Sequence, residues 1–320
     1  MLDAQSPQGT SREPERMGKM NSKQLKIALS LTAEDSLYQQ AEARAAKNAA
    51  QKHGFNLEVT YAQGDAIAQS DHLVNLIHAP ADTRPDVIML EPVGTGMVRV
   101  AREAARAGIG WIVLNREVDY VPELRGASRA PVFAVTTNHL ETGRIQGRQL
   151  NALLPTGGSV IYLQGPSGHP VARAREKGML ETKSDSIRIR PLHGHWQESV
   201  AFQAVTSWMG LPTWQEFCPR VVAAQNDFMA KGARRAFEQF ASRSKFQSAS
   251  GVRYIGCDGM EEHGRRWVAE GLLDATIMCP SLTALALDVL AREVRSGAAA
   301  GPLILAEPVS FPDLAHLRSD

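Results

Sequence analysis

An arginine, an asparagine and an aspartate together supply a planar fork of donors, a paired donor and acceptor, and acceptors alone. That set, with an aromatic face beside it, suits a neutral polyol. Hydroxyls need matched donors and acceptors, and a C–H face packs on a ring. The sequence places such residues repeatedly where a short apolar run ends. Gln225-Asn226-Asp227 follows Val221–Ala224 and precedes Phe228, Met229, Ala233 and Phe237 at helical spacing. Other clusters are Thr32–Gln39 with Tyr38, Asn115-Arg116-Glu117, and Gln164–Gly168 followed by Arg173 and Arg175. His193-Gly194-His195 leads into Trp196, and Asp258-Gly259 follows Ile255-Gly256-Cys257. Each cluster alone also reads as a turn or a helix cap, the plain role of Asn226 and Asp227. Their recurrence at one topological edge favours a binding site.

Other chemistries fit less well. A phosphate calls for a glycine-rich nest of backbone N–H groups. Gly94-Thr95-Gly96 follows a strand, but the third glycine of a dinucleotide fingerprint would fall on Arg99. His193 and His195 lack a third ligand at useful spacing, so no metal is expected. Asp258 and Glu261 have no nucleophile or opposing carboxylate at readable spacing, so the chain is not expected to be an enzyme. No cofactor is expected either.

The elements that position these clusters alternate. Strands are expected at 25–31, 55–61, 86–90, 111–114 and 132–135, with helices between most of them. Ser36-Leu37-Tyr38-Gln39 reads as a capping box opening a helix to His53, which Gly54 ends. The pattern restarts with a helix from His139 to Leu153, capped by Asn138 with Glu141 three residues on. Strands at 160–163, 187–192, 221–224, 253–256 and 275–278 then alternate with helices near 170–183, 198–208, 228–241, 261–270 and 282–296. Short connections of this kind mean α/β architecture with parallel sheets flanked by helices, here as two Rossmann-like lobes.

Composition agrees: 320 residues, 43% hydrophobic, 22% charged and a formal net charge of +1. Nothing in that balance points to nucleic acid or to a membrane surface. Cys218, Cys257 and Cys279 are far apart and odd in number, so they read as small buried residues. Residues 1–22 read as a disordered polar arm, with no export signal, no bilayer span and no helix-turn-helix.

Four ordered motifs carry a resemblance. They are Ala224-Gln225-Asn226-Asp227 with Met229-Ala230 and Gly232, Leu163-Gln164-Gly165 with Arg173–Gly178, Gly256-Cys257-Asp258-Gly259, and Ala275-Thr276-Ile277. From about Leu25 onward the chain resembles type I periplasmic binding proteins of the ribose-binding group, and the related effector domains of lactose-repressor-type regulators. The resemblance implies lobes of 23–137 plus 281–308 and 138–280 plus 309–320, joined by three hinge crossings near 136–138, 279–281 and 307–310. It implies closure on a sugar held in the inter-lobe cleft, with Tyr38, Asn115, Arg116, Arg175, Trp196, Asn226 and Asp258 as ligand contacts. Arg173 reads instead as a supporting salt-bridge residue, and Gln164 as a turn former. The Asn-Pro-Phe-Phe pattern of the family is replaced by Ser36–Gln39, and Cys279 stands where a Gln is common. The first-lobe half of the site is thus rewritten, which implies a ligand other than ribose. Implied partners are a membrane ABC permease or, alternatively, a sensor histidine kinase, with a monomeric chain and no nucleic acid or membrane insertion. The implied compartment is the periplasm; the missing export signal leaves the cytoplasm as the alternative.

Overall fold

The computed structural model describes residues 24–243 and 251–317. The expected N-terminal arm lies outside them. The chain forms two compact units. Unit 1 runs to Val135 and takes back Thr283–Ile304; unit 2 comprises Thr136–Leu282 and the chain from Leu305. The chain thus passes between units three times. Its unit bounds are 135, 283 and 304, where the sequence drew 137, 281 and 308.

In unit 1, β1 (Lys26–Leu31), α1 (Leu37–His53), β2 (Asn56–Tyr61), α2 (Ala66–Ile77), β3 (Val87–Leu90), α3 (Val98–Arg106), β4 (Gly110–Leu114), α4 (Val121–Ala127) and β5 (Val132–Thr137) follow in order. Unit 2 continues with α5 (His139–Leu153), β6 (Gly158–Gln164), α6 (Pro170–Thr182), β7 (Ile187–His193), α7 (Glu198–Met209), α8 (Thr213–Phe217), β8 (Val221–Ala224), α9 (Asp227–Arg243), β9 (Arg253–Ile255), α10 (Arg266–Ala269) and β10 (Thr276–Met278). A single π-helical turn, Glu261–Arg265, leads into α10. Then come α11 (Leu282–Ser296), β11 (Leu303–Ala306) and β12 (Val309–Phe311). The sequence reading did not include α4, α8, β11 and β12. They are short, and each lacks a full period of apolar residues.

The two sheets share one logic. Unit 1 has the order β11-β5-β4-β3-β1-β2 and unit 2 has β7-β6-β8-β9. Beyond β9 the unit 2 sheet continues through the bridges Ile255–Ala275 and Asp258–Met278, and β10 pairs antiparallel with β12. In each unit the second strand lies outside the first, and the third lies on its other side, so the order reverses at the first strand. Strands β3, β4, β5 and β8 are buried at every position, as parallel strands covered on both faces must be. The edge strands β2 and β7 carry exposed positions instead.

Local signals explain the helix starts. Ser36 accepts from the Gln39 N–H at 3.5 Å, and Gly54 closes α1 at φ 72°. Only half of the expected capping box forms, because the Gln39 side chain turns to Glu91 instead of the Ser36 backbone. Asn138 accepts from the Glu141 N–H at 3.1 Å and starts α5. Helices α5 and α6 touch backbone to backbone. A Cβ added at Gly143 would lie 2.0 Å from the Arg175 carbonyl oxygen, and one at Gly178 would lie 2.0 Å from that of Leu140. Glycine is the only residue that allows this approach, and the approach fixes the helix that carries Arg175.

Candidate functional site

At the carboxyl edge of the unit 2 sheet, the reversal point lies between β6 and β8. Gln225 spans it: its Oε1 accepts from the Gly165 N–H at 2.9 Å, and its Nε2 donates to Tyr162 Oη and to the Ala172 carbonyl. Asn226, the next residue, uses both ends of its amide. Its Oδ1 accepts from the Met229 N–H at 2.8 Å, which caps α9, and its Nδ2 donates to the Trp196 carbonyl at 3.0 Å. Capping and site building are therefore the same act here. Asp227 is fully buried and accepts from Thr276 Oγ1 at 2.6 Å and from the Gly259 N–H at 2.9 Å. It locks the turn that carries Asp258, and burial pushes its carboxyl well above the usual range.

Arg175 projects from α6 and is 6% exposed. Its guanidinium donates to the Gln225 carbonyl and lies 3.4 Å from Asp258 Oδ1. Burial raises the Asp258 carboxyl above its ordinary value, with Arg175 opposing the rise. The Trp196 ring faces Arg175, with the guanidinium carbon 5.8 Å from the ring centroid. His169 meets Trp196 edge-on at 6.0 Å. His139 completes the group: burial, with Arg175 and His169 nearby, holds its imidazole well below the usual value and so neutral.

The four expected residues of this unit, Arg175, Trp196, Asn226 and Asp258, thus come together. Two of them sit on backbone that L-residues rarely adopt, with φ 67° at Trp196 and φ 97° at Asp258. The Trp196 ring packs against Gly165, where an added Cβ would fall 2.1 Å from it. Gly165→Ala should therefore displace the indole and cost about 1–3 kcal/mol of stability. Urea denaturation checks this, and an unchanged midpoint would contradict the contact.

Unit 1 carries the other three. Asn115, at φ 56°, donates from Nδ2 to Glu91 Oε1 at 2.9 Å. Gln39 donates to Glu91 Oε2 at 2.7 Å and accepts from the Thr32 N–H. Gln69 braces the same edge, donating to the Glu91 carbonyl and to Ser30 Oγ. Arg116 donates to the Gly94 carbonyl. Tyr38 is half-buried in the first turn of α1.

Glu91 is the residue that the sequence reading missed. It directly follows Leu90 at the end of β3, the position that drew attention after other strands. Burial raises its carboxyl above the ordinary value, while the hydrogen bonds from Gln39 and Asn115 and the charge of Arg116 work against the rise. Between the unfolded and the raised folded value, the folded chain holds a proton that the unfolded chain has released. This group's contribution to stability therefore grows as pH falls through that window. Glu91→Gln should remove that part of the slope, which denaturation of both proteins at pH 7 and pH 5 reads out. Parallel slopes would exclude the effect.

Three expectations need correction. Arg173 is exposed and pairs ionically with no described residue, because its position on α6 faces away from Asp258. Gln164 ends β6 rather than forming a turn; its carbonyl accepts from the Gly194 N–H. The cysteines are neither all buried nor all distant. Cys218 is exposed, and the sulfurs of Cys257 and Cys279 are 4.0 Å apart. Sequence spacing hides that pair because adjacent parallel segments bring distant residues side by side. His193 and His195 have ring centroids 6.1 Å apart and are both exposed.

Comparisons with known proteins agree with this architecture. The periplasmic binding protein domain family matches residues 27–295. A protein of Rhizobium meliloti named for rhizopine binding is 28% identical over 194 residues, 58% of each chain. The present chain therefore spans a little over half the length of that relative. The ribose import binding protein of Escherichia coli (strain K12) is 26% identical over 239 residues, 72% of this chain and 71% of that one. Among solved structures, an ABC transporter periplasmic solute binding protein from Actinobacillus succinogenes with bound D-allose superposes at a TM-score of 0.77. Identity there is 20%, over 91% of this chain and 98% of that one. The fructose-binding periplasmic domain of a hybrid two-component system superposes at 0.70, with 20% identity over 89% and 90%. With its two α/β units of reversed strand order and its family match over most of the sequence, this chain belongs to the periplasmic binding protein domain family, as a type I, ribose-binding-like member.

Proposed function

We propose that the chain reversibly captures a small neutral carbohydrate or polyol, as the solute-binding component of an ABC-type sugar importer. The observation that carries this reading is the group of Arg175, Asp258, Asn226 and Trp196 at one sheet edge, two of them on strained backbone. Arg175 and Asp258 offer donors and acceptors to vicinal hydroxyls, and the Trp196 ring offers an apolar face. Within unit 1 the reading names Asn115, Arg116 and Tyr38 as proposed ligand contacts, with Glu91, beside Asn115, as a further proposed acceptor. The E. coli relative named for ribose import and the solved structure with bound D-allose support a sugar ligand. No turnover belongs to this reading. Among the described residues no helix is long and apolar enough to cross a membrane, so transport would need a separate permease.

A second reading is sensing for a signalling partner, favoured by the resemblance to the fructose-binding domain of a two-component system. A thermal-shift screen over pentoses, hexoses, inositols and sugar alcohols tests ligand capture, because a ligand that binds only the folded chain raises its melting temperature. A shift from one member, with no product formed on prolonged incubation, is the expected result. No shift across the panel would defeat the carbohydrate reading. Vesicles carrying a cognate permease, compared with a cognate kinase, separate transport from sensing.

A further inference from the structure

Cys257 follows β9 and Cys279 follows β10, and hydrogen bonds beyond the strands hold the two segments in register. The Asp258 N–H donates to the Ile277 carbonyl at 3.0 Å, and the Cys279 N–H donates to the Asp258 carbonyl at 3.1 Å. Cys257 Sγ, Cys279 Sγ and an Asp258 carboxylate oxygen all lie within 4.8 Å of one another. At 4.0 Å the two sulfurs stand as reduced thiols in hydrogen-bonding contact, a distance that can be set beside the two uses of a cysteine pair. A disulfide needs about 2.05 Å, so the sulfurs would have to close by about 2 Å. Two thiolates on one tetrahedral zinc ion, each bonded at about 2.3 Å, stand about 3.8 Å apart. The observed spacing is close to the second value.

We propose that Cys257, Cys279 and Asp258 form a binding site for a thiophilic divalent cation of the zinc class, with two thiolates, one carboxylate and a fourth position open to water. Thiolate ligands select such ions over magnesium and calcium. Charge balances as well: two thiolates and a carboxylate carry −3, the ion +2, and the Arg175 guanidinium +1. The Arg175–Asp258 contact is loose at 3.4 Å, against about 2.7–2.9 Å for a close charge-assisted pair. Asp258 therefore keeps acceptor capacity for a metal. Cys257 is buried and Cys279 half-buried, so the ion enters from the Cys279 side. Binding converts two thiols to thiolates and releases two protons. The proposal does not rest on the carbohydrate reading.

The test uses the full chain, reduced with a phosphine and stripped by a chelator. Cobalt(II) is titrated without oxygen, and zinc affinity is then measured by competition with a chromophoric chelator. The expected result is a thiolate-to-cobalt charge-transfer band that zinc abolishes, with two protons released per ion. Cys279→Ser and Cys257→Ala should lose the band, and zinc affinity should fall at least tenfold. Asp258→Asn should keep a thiolate band while zinc binding weakens at least tenfold. Cys218→Ser should behave as the parent. Far-ultraviolet circular dichroism verifies folding, and Cys279→Ala replaces any variant that fails that check. Absence of the band in the parent, or an unchanged affinity in both Cys279 variants, overturns the proposal. Closure of a Cys257–Cys279 disulfide by exchange with oxidised glutathione, which is itself reduced to two thiols, together with no cobalt binding by the reduced chain, overturns it too. Failure here leaves the sugar-induced melting shift intact, so the two readings fail separately.

Discussion

Arg175→Ala is expected to weaken capture of any sugar that the thermal-shift screen identifies by tenfold or more, and to lower stability by about 3–5 kcal/mol. The first figure follows from losing hydrogen bonds to a charged donor, each on the order of 1.5–3 kcal/mol. The second arises because the residue is 6% exposed and its guanidinium faces Asp258, itself mostly buried. Removing one partner leaves a buried carboxylate uncompensated, and the Gln225 carbonyl loses its donor as well. The double variant Arg175→Met with Asp258→Asn separates the two effects. With both charges gone, most of the stability should return, while binding stays lost. Urea denaturation and calorimetry with the same sugar read the two quantities. Undiminished affinity in Arg175→Ala would remove Arg175 from the site and leave it a structural role only.

Gly143→Ala is expected to cost about 3 kcal/mol, the upper end for overpacking, because the obstacle is backbone. The added Cβ would lie 2.0 Å from the Arg175 carbonyl oxygen and 2.9 Å from the Met179 nitrogen. Neither atom moves without moving α6. Relief must come from α6 sliding away from α5, which carries the Arg175 side chain off the Gln225 carbonyl and Asp258. Stability and affinity should therefore fall together. Gly126→Ala provides the contrast. Gly126 lies within α4 with nothing within 4 Å of an added Cβ. There the same change should stabilise by about 0.5–1 kcal/mol through helix propensity alone. Equal effects at the two positions would refute the close approach of α5 and α6.

Much of the architecture was legible because parallel strands buried on both faces write themselves as apolar runs. Val221–Ala224 and Trp111–Leu114 are such runs, and both are strands in the structure. Helix starts were equally readable at Ser36 and Asn138, where the capping side chain lies within three residues of its N–H partner. The unit 2 cluster was legible from its motif residues, and the structure brings them together. What escaped were features that depend on neighbours distant in sequence. Glu91 takes its meaning from Gln39 and Asn115, on two other elements. Cys257 and Cys279 become neighbours only through pairing beyond β9 and β10. Strand β12 could not be read as antiparallel, because its partner β10 precedes it by a whole helix.

The setting of Trp196 has a practical corollary. Four of the five tryptophans, Trp111, Trp208, Trp214 and Trp267, are buried in the cores at 0–8% exposure. Trp196 alone is half-buried, with a guanidinium over its ring and its carbonyl held by Asn226. Any occupant of that edge alters the polarity around one indole and spares the other four. The molecule therefore carries its own optical gauge, and a change in intrinsic emission on adding solute would report occupancy without a label.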